Sequence, residues 1–346
     1  EMIGSDWSSD VCSSDLIMAR VLSGVKPTGK MTLGNYIGSF RNFASYQDEN
    51  ETYIFIADLH ALTKPIDPQD LRNNTYDILS FYLAAGLDPE KCCLFKQSDI
   101  AEVALLNSII INYIYMGELS RMTQYKDFVN KNAGKEVGVG LFAYPVLMAA
   151  DLFMYDTELC PVGEDQRQHV ELAHDIARRI NNRYKENILS MPKAITPKVG
   201  KRIMNLSDPT QKMSKSVKDP KGEIYLADDM KTVRKKFMSA KTDTGCEVKY
   251  DVENKPGISN LLQIYAAIKE ISIEDAEKEF VGCNYGTFKG KVADAVIAEL
   301  EPFQQRYLSY RQNEELLNEI FAKGAAKAKI IATEVLERVK KAVGLI

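Results

Sequence analysis

Arg20-Val21-Leu22-Ser23-Gly24-Val25-Lys26-Pro27-Thr28-Gly29-Lys30-Met31-Thr32-Leu33-Gly34-Asn35 decides the fold class. Arg20 to Gly24 is a short apolar run stopped by glycine, which predicts a buried strand. A loop rich in Pro27, Thr28 and Gly29 follows, and Leu33 to Tyr46 then takes helical spacing. A strand end, a loop of small residues and a helix start therefore come in succession. Free backbone N–H groups and the helix dipole at such a start favour a phosphate. The plainer alternative is an ordinary turn between strand and helix, because the spacing is neither a Walker P-loop nor G-x-G-x-x-G.

The same alternation continues outward. Tyr53 to Ala57, Cys92 to Lys96 and Leu159 to Val162 read as further strands. Asp67-Pro68 opens a helix that Gly86 closes, and Gly163 leads into a helix running through Arg183. Strands alternating with helices predict an α/β fold with a parallel sheet. Beyond about residue 220 the strand signals fade. Ile258 to Ile271, Lys289 to Arg311 and Glu314 to Val343 carry apolar stripes at helical spacing, so the second half is expected to be mainly helical. No apolar run is long enough to span a bilayer.

Residues 1–17 differ from the rest. They are polar, rich in Ser and Asp, and aperiodic, and they read as a non-native, adapter-like segment ahead of a native start near Met18. They carry four acids and no base, so the 44 basic and 48 acidic residues of the whole chain become 44 of each without them. The only tryptophan, Trp7, also lies there. Balanced charge still permits RNA binding through a local basic face. The six cysteines (Cys12, Cys92, Cys93, Cys160, Cys246 and Cys283) form no C-x-x-C pair and read as free thiols of a reducing compartment. With only three histidines, no protein metal site is expected.

Three further stretches carry chemistry. Lys212-Met213-Ser214-Lys215-Ser216 sets two cations among serines in a loop-like segment. Their ammonium groups can neutralise charge growing on a departing pyrophosphate. Gly163-Glu164-Asp165-Gln166-Arg167-Gln168-His169 crowds polar residues at a strand-to-helix junction, where α/β folds bind ligands and a carboxylate can accept ribose hydroxyls. Its plainer reading is a helix cap, and His169 and His174 read as surface or supporting residues. In Tyr144-Pro145-Val146-Leu147-Met148-Ala149-Ala150-Asp151, an acid ends an apolar helical run with Tyr144 and Met148 near the same face. A buried carboxylate needs a partner. An indole N–H is one candidate; an arginine or a helix end is the other.

Together these strings resemble the class I aminoacyl-tRNA synthetases, specifically the bacterial tryptophanyl members, from about Arg20 to the C-terminus. Gly117-Glu118-Leu119, Arg121-Met122-Thr123-Gln124 and Lys255-Pro256-Gly257-Ile258-Ser259-Asn260-Leu261-Leu262 extend the match. The resemblance implies a Rossmann-like catalytic domain over 18–205 with a helical dimer-interface insertion at about 101–142. It further implies a signature loop over 206–220 and a helical anticodon-binding domain over 221–346. It assigns ATP to Lys26, Pro27, Thr28, Gly34, Asn35, Gly163, Glu164, Asp165, Ile203, Lys212, Met213, Ser214, Lys215 and Ser216, with Asp165 on the ribose and Ile203 reading adenine. Tryptophan falls to Asp151, which accepts the indole N–H, and to Tyr144 and Gln166 at the ammonium and carboxylate. Leu22, His60, Met148 and Val162 wall the ring. Lys212, Lys215, Thr32 and Asn35 are the expected catalytic groups. The usual His-x-Gly-His is Thr32-Leu33-Gly34-Asn35 here, whose side chains still donate hydrogen bonds.

The implied reaction joins L-tryptophan to AMP with release of pyrophosphate, then transfers it to the terminal ribose of tRNA(Trp). Mg²⁺ is expected mainly on phosphate oxygens. Lys231, Arg234, Lys235 and Lys236 are candidates for tRNA phosphate contacts, against a simple solvated helix face. A cytoplasmic homodimer joined through Leu105 to Met116 completes the expectation. A tyrosyl enzyme, a general nucleotidylyltransferase and a non-catalytic paralogue are the rival readings.

Overall fold

The computed structural model describes residues 18–131, 136–195, 202–214 and 220–346. The adapter-like segment with Trp7 and the signature-loop residues Lys215 and Ser216 lie outside the described residues. Five strands, β1 (Arg20–Val25), β2 (Glu51–Ile56), β3 (Cys93–Lys96), β4 (Leu159–Pro161) and β5 (Lys193–Ile195), form one parallel sheet in the order β3-β2-β1-β4-β5. The helices of the first half are α1 (Leu33–Asn35), α2 (Arg41–Ala44), α3 (Asp58–Ala61), α4 (Pro68–Ala84), α5 (Ala101–Ile110), α6 (Met116–Leu119), α7 (Thr123–Lys131), α8 (Val139–Met154) and α9 (Arg167–Tyr184). Those of the second half are α10 (Met230–Met238), α11 (Pro256–Lys269), α12 (Ile273–Glu279), α13 (Tyr285–Arg311) and α14 (Glu314–Val343).

The four expected strands form, each within about two residues of its predicted ends. β2 shows why. Tyr53 and Phe55 point into one apolar cluster and Ile54 and Ile56 into the other, so Tyr53 to Ile56 is an unbroken apolar run because helices cover both faces. The α4 helix begins where Pro68 fixes the first helical φ and the Asp67 carboxylate accepts the N–H groups of Gln69 (2.8 Å) and Asp70 (3.2 Å). It is followed by Gly86 at φ +101°, a conformation that glycine adopts without strain. The helical run after Leu33 contains a π segment, Tyr36–Phe40, between α1 and α2. Strand β5 was not expected, being three residues long directly after Pro192.

The boundary expected at 220/221 does not divide the chain into two cores. Helix α14 returns to the sheet and packs along β3. Its Leu317, Ile320 and Phe321 join one apolar cluster, and its Ala328, Ala332, Val335, Leu336 and Val339 join the other. At the crossing, a Cβ on Gly324 would lie 1.9 Å from the Leu94 carbonyl oxygen, and the Cys93 thiol donates to the Gly324 carbonyl at 3.0 Å. The last helix thus covers the β3 edge of the sheet, which would otherwise present an open strand. Among the described residues no helix is long and apolar enough to cross a membrane.

Candidate active site

The order in which strands are added to the sheet reverses between β1 and β4, and the crevice at their carboxyl ends is where open α/β sheets bind ligands. The Ser23 hydroxyl donates to the Pro161 carbonyl at 3.1 Å and ties the two strand ends together. Every strand from β1 to β4 leads into a residue of the site: Lys26 directly after β1, His60 in α3 after β2, Gln97 directly after β3 and Gln166 in the turn after β4. They converge on one face of α8, which carries Tyr144 and Asp151.

Asp151 is almost wholly buried. His60 Nε2 lies 2.9 Å from its Oδ2, and Gln97 Nε2 donates to both its oxygens at 2.8 and 2.9 Å. Burial pushes its carboxyl pKa up, and the His60 and Gln97 contacts oppose the rise. Among the described residues, neither an arginine nor a helix end holds it. An ionised carboxylate offers about four acceptor positions, and these contacts occupy three. An acceptor position therefore remains. His60, expected only as a wall, also orients the acid. Gln97 was missed, although its place immediately beyond a strand end was a usable signal.

Tyr144 lies one further step along the same network. Its ring centroid is 6.2 Å from that of His60, and the Lys26 ammonium sits 5.5 Å above the ring. Its hydroxyl donates to Gln124 Oε1 and meets His169 Nε2 at 2.7 Å, while His169 Nδ1 meets Gln166 Oε1 at 2.9 Å. His169 is buried and fixes Tyr144 and Gln166 against each other, a supporting role on both sides. His174, the other histidine of α9, instead points to the Pro192 carbonyl beside β5. Leu22 is buried in the apolar cluster on this face of the sheet, and Met148 and Val162 pack against the same cluster.

The first loop is rigidly framed. Burial, and then the nearby Lys64, pull the Lys26 ammonium pKa below the usual lysine range. Pro27 is buried, its carbonyl accepting from Asn74 Nδ2 at 3.2 Å, Thr28 N–H donates to the Lys26 carbonyl at 2.9 Å, and Gly29 takes φ +66°. Thr32 and Asn35 are spent on each other in a reciprocal cap of α1. Thr32 N–H donates to Asn35 Oδ1 at 3.0 Å, and Asn35 N–H donates to Thr32 Oγ1 at 3.4 Å. The buried Thr32 hydroxyl serves the helix start, and Asn35 Nδ2 is the donor that pair retains.

The stem of the signature loop packs on this same helix start. A Cβ at Gly34 would lie 3.5 Å from the Met213 Cβ and 3.7 Å from the Ile203 Cβ. Met213 N–H donates to the Ile203 carbonyl at 2.9 Å, and Met204 bridges Lys212 in antiparallel fashion. Asn260 of α11 holds Met204 from both sides, accepting its N–H at 2.8 Å and donating to its carbonyl at 2.9 Å. A polar residue inside the apolar run of α11 was the available sequence signal for that anchor. On the other wall, Gly163 precedes a single turn, Glu164–Gln166, that leads into α9. Glu164 is exposed and ion-paired with Arg167 at 3.2 Å, while the Asp165 side chain lies outside the described residues.

The arrangement presents a buried acid with spare acceptor capacity in an apolar setting. It adjoins a loop and helix start that, with Lys26 and the Ile203–Ser214 stem, suit a polyphosphate. The model of the family "tRNA synthetases class I (W and Y)" matches residues 18–301. A Listeria monocytogenes protein named tryptophan–tRNA ligase is 47% identical over 325 residues, covering 94% of this chain and 97% of that protein. The crystal structure of tryptophanyl-tRNA synthetase from Mycoplasma pneumoniae superposes with a TM-score of 0.88 at 34% identity, covering 94% of this chain and 98% of that one. The Campylobacter jejuni enzyme, complexed with ADP and tryptophan, gives 0.77 at 34% identity, covering 94% and 99%.

Proposed function

Because the chain belongs to the class I tRNA synthetases, in the tryptophanyl branch that activates tryptophan and transfers it to tRNA(Trp), we propose that the cluster around Asp151 is its amino-acid pocket. The convergence of His60 and Gln97 on Asp151, and of Gln166 through His169 on Tyr144 of the same helix, carries this reading. The indole N–H takes the remaining acceptor position of Asp151, with Leu22, Met148 and Val162 against the ring. Tyr144 and Gln166, locked by His169, position the ammonium and carboxylate.

ATP lies along Lys26 to Asn35, the turn Gly163 to Gln166, and the stem from Ile203 to Ser214, with Lys215 and Ser216 continuing the signature string. Asp165 holds the ribose, and the Ile203 backbone reads adenine. The nucleotide enters as its magnesium complex, the ion riding on phosphate oxygens. Among the described residues, no group of three His, Cys, Asp or Glu is arranged to hold a metal.

The tryptophan carboxylate attacks the α-phosphorus, a bond to oxygen forms, and the bond to the pyrophosphate leaving group breaks. The nucleophile is already ionised, so the protein contributes positioning and charge: Lys212, Lys215 and Lys26 neutralise the departing pyrophosphate. A terminal ribose hydroxyl of tRNA then attacks the adenylate carbonyl and AMP leaves. The helical half offers the tRNA surface. Within it, Arg234 pairs with Asp294, and Lys236 with Asp228 at 2.7 Å, so Lys231 and Lys235 are the better candidates for phosphate contacts.

Exposed Leu105, Ile111, Tyr115 and Met116 form an apolar surface suited to a second copy of the chain. The free, buried Cys92, Cys93 and Cys160, whose thiols burial pushes up to about 12, suit a reducing cytoplasm. Exchange of pyrophosphate into ATP, measured with tryptophan, with tyrosine and without amino acid, tests the whole assignment. Only tryptophan is expected to drive exchange; equal exchange with tyrosine would refute the pocket.

A further inference from the structure

Glu223 is a fully buried carboxylate that no role above uses. Its Oε1 accepts from Asn205 Nδ2 at 2.7 Å, and its Oε2 accepts from the Ser214 backbone N–H at 3.0 Å. Asn205 cannot turn its amide around, because its Oδ1 already accepts from Ser207 N–H at 2.8 Å and Asp208 N–H at 2.9 Å. Two donors therefore converge on side chain 223 and require two acceptor oxygens. A carboxylate supplies both, whereas an amide supplies one and brings a donor.

The backbone at this point is built for that approach. A Cβ on Gly222 would lie 1.9 Å from Asn205 Oδ1, so only glycine fits. The Leu206 N–H donates to the Gly222 carbonyl at 2.8 Å, and the Lys236 ammonium holds the Glu223 carbonyl at 2.7 Å. Burying an acid here is costly, and burial raises its pKa while Asn205, Ser214 and Lys236 oppose the rise. That cost is sustained at a residue whose partners lie at both ends of the stem carrying Lys212.

We propose that Glu223 is a positioning residue for adenylate formation: through Asn205 and the Ser214 N–H it fixes Lys212 to Ser214 against the helix start, where Gly34 meets Met213. This rests on the reading of that stem as part of the ATP site. The effect falls on ATP rather than tryptophan, since the described partners of Glu223, namely Asn205, Ser214 and Lys236, belong neither to α8 nor to the cluster around Asp151.

The test uses the full chain and Glu223→Gln. Losing one charge-assisted bond lowers kcat/KM for ATP in pyrophosphate exchange about tenfold or more, with tryptophan affinity measured without ATP unchanged. Gly222→Ala keeps the acid, displaces Asn205, and is expected to show the same ATP-selective loss. In the wild type the Ser214 amide is expected to be protected from hydrogen exchange. A purely structural role would lower the active fraction while leaving the ATP terms per active site unchanged, and that result, or an unprotected Ser214 amide, overturns the proposal. Absence of tryptophan-dependent exchange in the wild type would instead overturn the functional reading and this proposal with it.

Discussion

Replacing Asp151 by asparagine separates what this side chain does for the substrate from what it does for the fold. The carboxylate receives His60 and Gln97, and the proposed pocket gives its remaining acceptor position to an indole N–H. In Asp151→Asn the remaining oxygen still accepts from Gln97, and the new amide donates to His60 Nε2 once that ring takes its other tautomer. The buried groups stay paired, and a buried charge disappears, so the thermal midpoint should hold or rise slightly at neutral pH. The sign follows from the raised carboxyl pKa. Relative to the asparagine variant, the wild type is most stable below the ordinary carboxylate range and loses that advantage as pH rises through the higher folded value.

Catalysis should respond in the opposite way. A hydrogen bond to a charged acceptor contributes about 1.5–3 kcal/mol, so kcat/KM for tryptophan should fall roughly 10- to 100-fold, while the KM for ATP stays within about twofold. Asp151→Ala differs again, leaving His60 and Gln97 without their acceptor at a cost of about 1–3 kcal/mol for each stranded group. Pyrophosphate exchange at varied tryptophan and varied ATP, paired with calorimetric melting from pH 4 to 8 (about the range where the carboxylate shift acts), checks both halves. If Asp151→Asn kept its preference for tryptophan over phenylalanine and tyrosine, the acid would not be reading the indole and the argument would fail.

Gly324→Ala drives a Cβ to 1.9 Å from the Leu94 carbonyl. It should cost about 3 kcal/mol and raise amide exchange in β3 before the rest of the sheet; an unchanged midpoint would show that α14 can slide along β3. Lys26, pulled below the usual lysine range by burial and Lys64, should lose its charge at a lower pH than an exposed lysine. The KM for ATP should therefore climb on the alkaline side in the wild type and be raised but flat with pH in Lys26→Met. Met116→Glu and Ile111→Glu place charge on the exposed apolar surface; sedimentation should show a monomer in place of a dimer, and an unaltered profile would move the interface elsewhere.

Four of the five sheet strands, the helical second half and the loop after β1 were legible because each is written in a local pattern: an apolar run, a 3.6-residue stripe, or a cap such as Asp67-Pro68. Asp151 was visible as a polar residue in an apolar helix, and Asn260 carried the same signal unread, but what each binds was not legible. The partners of Asp151 are His60 and Gln97, 91 and 54 residues away in the chain, and only the strand order β3-β2-β1-β4-β5 brings them to one helix face. Strand β5 opens on Lys193 and carries no apolar run, so pairing with β4 alone defines it. Helix α14 reads as an ordinary member of the helical half; the small surface of Gly324, which admits the β3 backbone, returns it to the sheet. Local spacing sets which element a segment becomes. Close packing between distant segments sets which residues meet, and that information resides in no single window of sequence.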